Sequence, residues 1–268
     1  MMNVYLFELK MLKKSILIWS LSLPLIIFMY LAFYPAMAVD SAAFEALLAN
    51  YPEEFLAFMG MRLDLPMTSL LGYFALTFGM MQIPMAIQAA NYGFHMLSVE
   101  EREMTADFLL SKPISRSKIL ISKFLASLTS LTIVNAALWI GSISALVAFK
   151  GDSVLNLGNV FVLLSTIVLF QLSFVSIAML ISVILRKIPS VLSFSIVMSF
   201  GLYIVYGFKS LFSSNFLAFF TPYAYFDASD ILVSGKYNLV YTLVAVFVIV
   251  GSLSLSYILY NKRNIHSL

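Results

Sequence analysis

Residues 15–39 read SILIWSLSLPLIIFMYLAFYPAMAV, twenty-five positions without one Asp, Glu, Lys or Arg. A helix rises ~1.5 Å per residue, so about 20 apolar residues cross a hydrocarbon core of ~30 Å. This stretch is long enough to span a bilayer. The same test picks out five more runs: Leu65–Val99, Phe124–Phe149, Ser153–Leu185, Ile188–Phe208 and Tyr237–Asn261. The expected fold is therefore an all-α polytopic membrane protein with six transmembrane helices, forming a single domain over 1–268. A further uncharged run, Ser210–Phe226, holds Ser213, Ser214, Asn215 and Pro222 and has too short an apolar core to cross. It reads as a re-entrant or interfacial segment, because irregular backbone at membrane depth is tolerated only against protein or a wet cavity. Lys13 and Lys14 followed by an apolar stretch and Ala36-Met37-Ala38 have the outline of a signal peptide. The apolar stretch is too long for that reading, and we take it as a span.

Composition points the same way. Of the 268 residues 62% are hydrophobic and 11% charged, which leaves no polar coat for a water-soluble domain. The absence of Cys excludes thiol catalysis, thiolate metal sites and disulfides. The net charge of +3 comes from short basic clusters beside apolar runs, a pattern that orients membrane segments and does not suit nucleic acid. With both termini inside, the cytoplasmic side receives Lys10, Lys13, Lys14, Arg102, Lys112, Arg116, Lys118, Lys123, Arg186, Lys187, Lys262 and Arg263, and only Arg62, Lys150, Lys209 and Lys236 lie outside. That excess of inner Lys and Arg predicts a multi-pass protein of the cytoplasmic membrane with both termini cytoplasmic.

Between the spans the pattern changes. Over 1–14, Val4, Tyr5, Phe7, Leu9, Met11 and Leu12 share one side of a helical wheel and Asn3, Lys10, Lys13 and Lys14 the other, which predicts an interfacial helix on the inner leaflet. Glu8 falls in the apolar sector, where a carboxylate needs a partner. In the extracytoplasmic segment 40–65, Phe44, Leu47, Leu48 and Tyr51 precede Pro52, and Phe55, Phe58 and Met59 follow it, each set at helical spacing; two short amphipathic helices are expected. The second extracytoplasmic segment is 209–236. Within the spans, Gln82, Gln88, Asn91, His95, Asn135 and Gln171 must be hydrogen-bonded, either across helices or along a cargo pathway. Small residues in the second span, Ala75 with Gly79 and Ala89 with Gly93, suit close helix packing.

No ionisable residue sits in the middle of a span, which argues against an ion-coupled carrier or proton pump. No Walker pattern is present either, since Gly235-Lys236 is followed by Tyr237. Energy has to come from another chain. The stretch 100–118, EEREMTADFLLSKPISRSK, joins the second and third spans on the inner side. Acidic residues lead a short helix, Lys112 closes it, Pro113 ends it, and Ser115 is placed to cap the next. Phe108, Leu109 and Leu110 give this helix an apolar ridge flanked by charge, suited to docking in a partner's groove or to resting on lipid.

In Glu103, Thr105, Leu109, Leu110, Pro113, Ile114, Ser115, Arg116 and Lys123 the chain resembles the type-2 permease subunits of ABC transporters, mostly exporters. Met104 and Ser122 stand where that family usually has Gly. Phe7-Glu8-Leu9-Lys10 resembles the family's entry helix, Thr221-Pro222-Tyr223 its region before the last span, and Lys262-Arg263-Asn264-Ile265 its basic tail, with Asn264 where Asp is common. The resemblance implies a permease that binds no cofactor itself, carries ATPase subunits holding ATP and Mg, and pairs with a second permease subunit. It also implies that Glu103, Thr105, Asp107, Phe108, Leu109, Leu110, Pro113, Ser115 and Arg116 couple the ATPase to the membrane helices. The expected function is export of an amphipathic cargo such as a peptide, lipid or drug. The alternative is a membrane assembly or immunity factor that moves nothing. An intramembrane enzyme would need paired acids, a nucleophile with its base, or a metal cluster, and no catalytic or metal-binding set is visible in the spans.

Overall fold

The computed structural model describes residues 2–58, 60–62, 64–102, 114–151, 153, 155–185, 187–212 and 214–262. Six long helices are apolar enough to cross a membrane. They are α1 (Met2–Ala32), continued by α2 (Tyr34–Val39); α5 (Leu70–Arg102); α6 (Arg116–Phe149); α7 (Leu157–Ile184); α8 (Val191–Leu211); and α12 (Leu239–Lys262). Among the described residues the rest of the secondary structure is six short helices counting α2: α3 (Ser41–Leu48) and α4 (Glu53–Phe58) after the first span, and α9 (Asn215–Ala218), α10 (Pro222–Tyr225) and α11 (Ala228–Ser234) before the last. The two helices expected around Pro52 are thus present. Six crossings return the chain to the end where it began. We call the end bearing Met2 and Lys262 the terminal face, and the end bearing α3, α4 and α9–α11 the far face.

Helix starts follow local chemistry more closely than the uncharged runs do. Ser69 accepts the Gly72 N–H ahead of α5, Asn156 accepts the Asn159 N–H for α7, and Ser190 accepts the Ser193 N–H for α8. Side chains that take up an orphan N–H fix the first turn, so the helices open a few residues inside the uncharged stretches. The interfacial helix expected over 1–14 is not a separate element. No Gly, Pro or cap interrupts Lys13-Lys14-Ser15, and α1 runs unbroken through it. At ~1.5 Å per residue its 31 residues reach about 46 Å, well past a ~30 Å core.

Packing divides the six helices into two groups. α1 lies along α6 for much of its length, with Phe28 and Phe149 meeting edge to face at 5.0 Å. α5 and α7 form the centre of the second group, flanked by α8 against α5 and α12 against α7. Between the groups the contacts are sparse. Gly93 shows how tightly the second group is made: a Cβ there would lie 2.5 Å from the Val175 carbonyl oxygen, so only glycine lets α5 approach α7 so closely. Gly79 has the opposite surroundings. Nothing lies within 4 Å of a Cβ built on it, so it leaves open space between α5 and α8 instead of a helix contact.

Segment 215–234 is folded onto the second group. Thr221 gives its hydroxyl to the Leu202 carbonyl at 2.8 Å, Pro222 opens α10, and Tyr223 is driven between α7 and α8. The Tyr223 ring meets Phe170, Phe174 and Tyr203 edge to face at 5.3–5.5 Å, and its hydroxyl lies 2.8 Å from Ser199 Oγ. Such aromatic packing is worth more than its buried area alone. The Thr-Pro-Tyr motif is therefore a clamp that fixes this segment on the helices.

Candidate functional site

At the terminal face, the connection between α5 and α6 carries most of the residues expected to meet an ATPase. Glu103, Thr105, Asp107, Phe108, Leu109, Leu110 and Pro113 lie outside the described residues. Ser115 and Arg116 do not. Ser115 sits at the N-cap of α6 in extended backbone, as its position predicts, but its side chain makes no capping hydrogen bond; Arg116 is the first helical residue.

The first turns of α6 are bound on two sides. Lys123 is buried at 2% exposure and its Nζ lies 3.3 Å from Glu8 Oε1 on α1, itself only 14% exposed. The carboxylate in the apolar sector of the N-terminal helix thus has its partner. Tyr5 and Thr129 meet by their hydroxyls at 3.0 Å on the same seam. On the other side Ser117 Oγ donates to Tyr257 or to Asn261 Oδ1 of α12, at 3.0 and 3.2 Å. The root of the 103–113 connection is therefore tied to the first and last spans at once. The motif residues marked Lys123 as significant, but the pairing with Glu8 depends on how α1 and α6 register, which no local pattern encodes.

The polar residues expected inside the spans separate into different environments. Asn135 Nδ2 donates to Gln171 Oε1 at 2.8 Å, joining α6 to α7 in a buried pair. Gln82 Nε2 donates to the Phe226 carbonyl at 2.8 Å, fastening α5 to the far-face segment. Gln88 is fully buried and reaches the Tyr92 hydroxyl at 3.5 Å, which in turn meets Ser15 of α1. Asn91 and His95 are half-buried on α5. The six do not converge on one cavity. Among the described residues, Asn135 Oδ1, Gln171 Nε2 and Gln88 Oε1 have no hydrogen-bond partner, so each keeps capacity that a buried polar group would ordinarily use.

The far face carries an ionic clasp that sequence spacing does not reveal. Arg62 donates from Nε and Nη2 to both carboxylate oxygens of Asp64 at 2.8 Å, and from Nη1 to Asp230. Asp227 caps α11 through the Ser229 and Asp230 N–H groups and accepts from the Tyr206 hydroxyl. The hydrogen bond with Arg62 holds Asp64 below its ordinary 3.8, and the bond to Asp64 raises Arg62 further above its own range. Asp230 moves up, chiefly by burial and then by the neighbouring Asp227. Beside the clasp, a small pocket of about 20 Å³ bordered by Gly79, Gln82, Tyr206 and Asp227 lies between α5 and α8. Among the described residues no three His, Asp or Glu side chains converge as a metal ligand set would.

The family model described as ABC-2 family transporter protein matches residues 2–265. Among curated proteins and among solved structures, none matches the chain.

Proposed function

Because the chain belongs to the ABC-2 family of transporter proteins, and is thereby a membrane-spanning permease subunit that works with an ABC ATPase, we propose that it exports an amphipathic peptide, lipid or drug across the cytoplasmic membrane. The terminal face is cytoplasmic, because twelve of the sixteen Lys and Arg residues fall on that side. ATP and Mg are bound by the partner ATPase subunits. A second permease subunit, identical or paralogous, completes the pathway. The connection containing Glu103, Thr105, Asp107, Phe108, Leu109, Leu110 and Pro113, with Ser115 and Arg116 at its root, receives the ATPase's motion. Nucleotide-dependent closure of the ATPases favours one packing of the helices over another, which is the thermodynamic content of alternating access.

One observation carries the reading: the family match spans residues 2–265, from the N-terminal helix to the basic tail. The bonding at the start of α6 supports the mechanical part, since Lys123 grips α1 and Ser117 grips α12. A push on the 103–113 connection would thus reach three spans within its first few turns. The test is Leu110→Asp combined with Arg116→Glu, introduced into the permease reconstituted with its ATPase. The expected result is nucleotide hydrolysis that no longer drives cargo movement, with normal insertion of the chain. Unchanged coupling refutes the assignment of this segment, and a permease that never co-purifies with an ATPase points to an assembly or immunity factor.

A further inference from the structure

A cavity of about 400 Å³ opens on the far face between α3, α4 and the approach to α5. Its volume lies within the range of small-molecule sites. Leu48, Leu56, Met61 and Met67 form apolar walls, and methionines give such walls the capacity to adapt to irregular ligands. Glu45 and Glu53 stand on the same lining. Glu45 is held in place by the Thr68 hydroxyl, which donates to its Oε1 at 2.6 Å. Among the described residues the basic side chain on the lining is Arg62, and it is committed elsewhere: Asp64 and Asp230 both take its donors and balance its charge. Among the described residues the cavity therefore presents two carboxylates beside apolar walls, and its cation Arg62 is already paired with Asp64 and Asp230.

We propose that this cavity binds an organic cation with an apolar body, its charge against Glu45 and Glu53 and its body against Leu48, Leu56, Met61 and Met67. An anion of the same shape is rejected by the two carboxylates, and a small inorganic cation gains nothing from the apolar walls. This inference rests on the transport reading for one step only, the identification of that cation as cargo at the far side of its route.

The probe is tetraphenylphosphonium, with tetraphenylborate as its charge-inverted isostere. Equilibrium binding is measured on the full chain in phosphatidylcholine nanodiscs, without ATPase or nucleotide, so that the result does not depend on coupled transport. The expected result is one saturable site per chain. Glu45→Gln with Glu53→Gln should weaken it at least tenfold, and Leu56→Trp, which fills the cavity, should abolish it; Thr68→Val, which frees Glu45, should weaken it severalfold. The Glu variants alter exposed side chains and leave folding unaffected, which helix content and size-exclusion behaviour verify. Saturable binding that survives both the Gln pair and the Trp variant overturns the proposal. So does equal binding of tetraphenylborate, absence of any saturable component, or displacement of the probe when phosphatidylethanolamine replaces phosphatidylcholine, which would assign the cavity to a lipid headgroup. In the assembled transporter, tetraphenylphosphonium should stimulate nucleotide hydrolysis in the wild type and not in the Gln pair. If the probe binds but leaves hydrolysis unchanged, the cargo assignment fails while the site stands.

Discussion

Removing one member of the Glu8–Lys123 pair should have unequal consequences depending on which member is lost. Breaking a buried ion pair by deleting one partner costs about 3–5 kcal/mol, because the other charge is stranded in a poor solvent, whereas replacing both with apolar groups of similar volume is often close to neutral. Lys123 is 2% exposed and Glu8 14%, so the ammonium has almost no access to water and the carboxylate has some. Glu8→Gln removes the carboxylate beside the more deeply buried charge and should cost about 3 kcal/mol. Lys123→Met keeps an apolar stem of similar length and leaves a partly wetted carboxylate, for a cost of about 1–2 kcal/mol. The double variant should cost about 1–2 kcal/mol, giving a coupling energy near 3 kcal/mol from the cycle. Both tryptophans of the chain, Trp19 and Trp139, lie on the two helices that the pair joins, so tryptophan fluorescence during denaturation in mixed micelles reports on this seam directly. Single costs that add to within about 0.5 kcal/mol, or a Lys123→Met variant less stable than Glu8→Gln, would refute the account.

Tyr223→Ala should destabilise the chain by about 3–5 kcal/mol through the cavity left among Phe170, Phe174 and Tyr203, and Tyr223→Phe by only about 1 kcal/mol, both read from thermal unfolding. For the buried amide pair, Asn135→Leu or Gln171→Leu alone should cost about 1–3 kcal/mol, and the double variant less than either, because no polar group is then left without its partner. Acid affects the far-face clasp in two opposed ways. Asp64 is depressed by Arg62, so its stabilisation is full at neutral pH and is lost as pH falls through that lowered value. Asp230 is raised, so the folded chain holds a proton there at a pH where the unfolded chain has released it, and this contribution fades as pH rises through the raised value. Asp230→Asn should therefore remove the part of the stability profile that declines with rising pH above about 4, measured by melting temperature across a pH series, and should leave the loss at lower pH in place.

The six spans were legible because each is an uncharged run of bilayer length. Their starts were not, because Ser69, Asn156 and Ser190 carry no charge and so count as part of a run even where they cap a helix from outside it. Lys10, Lys13 and Lys14 announced a polar face, but charge says nothing about whether the backbone turns at Lys14, and it does not. Pro52, by contrast, is a backbone constraint and divided α3 from α4 as read. Glu8 could be seen to need a partner; which partner depends on helix register over a long sequence separation. The same holds for Arg62 and Asp230, which lie 168 positions apart. Among the polar groups of the spans, types were legible and neighbours were not: Asn135 and Gln171 share a bond, and Gln82 is spent on the Phe226 carbonyl.

The sparse contact between the pair α1 with α6 and the group α5, α7, α8 and α12 has a mechanical corollary. Residues 103–113 are the covalent bridge from α5 in one assembly to α6 in the other. A load applied at that bridge falls on the sparsely packed seam between the two assemblies, where, among the described residues, Asn135–Gln171, Ser15–Tyr92, Trp139 to the Leu164 carbonyl and Ser117 with Tyr257 or Asn261 are polar rivets that would have to yield or hold.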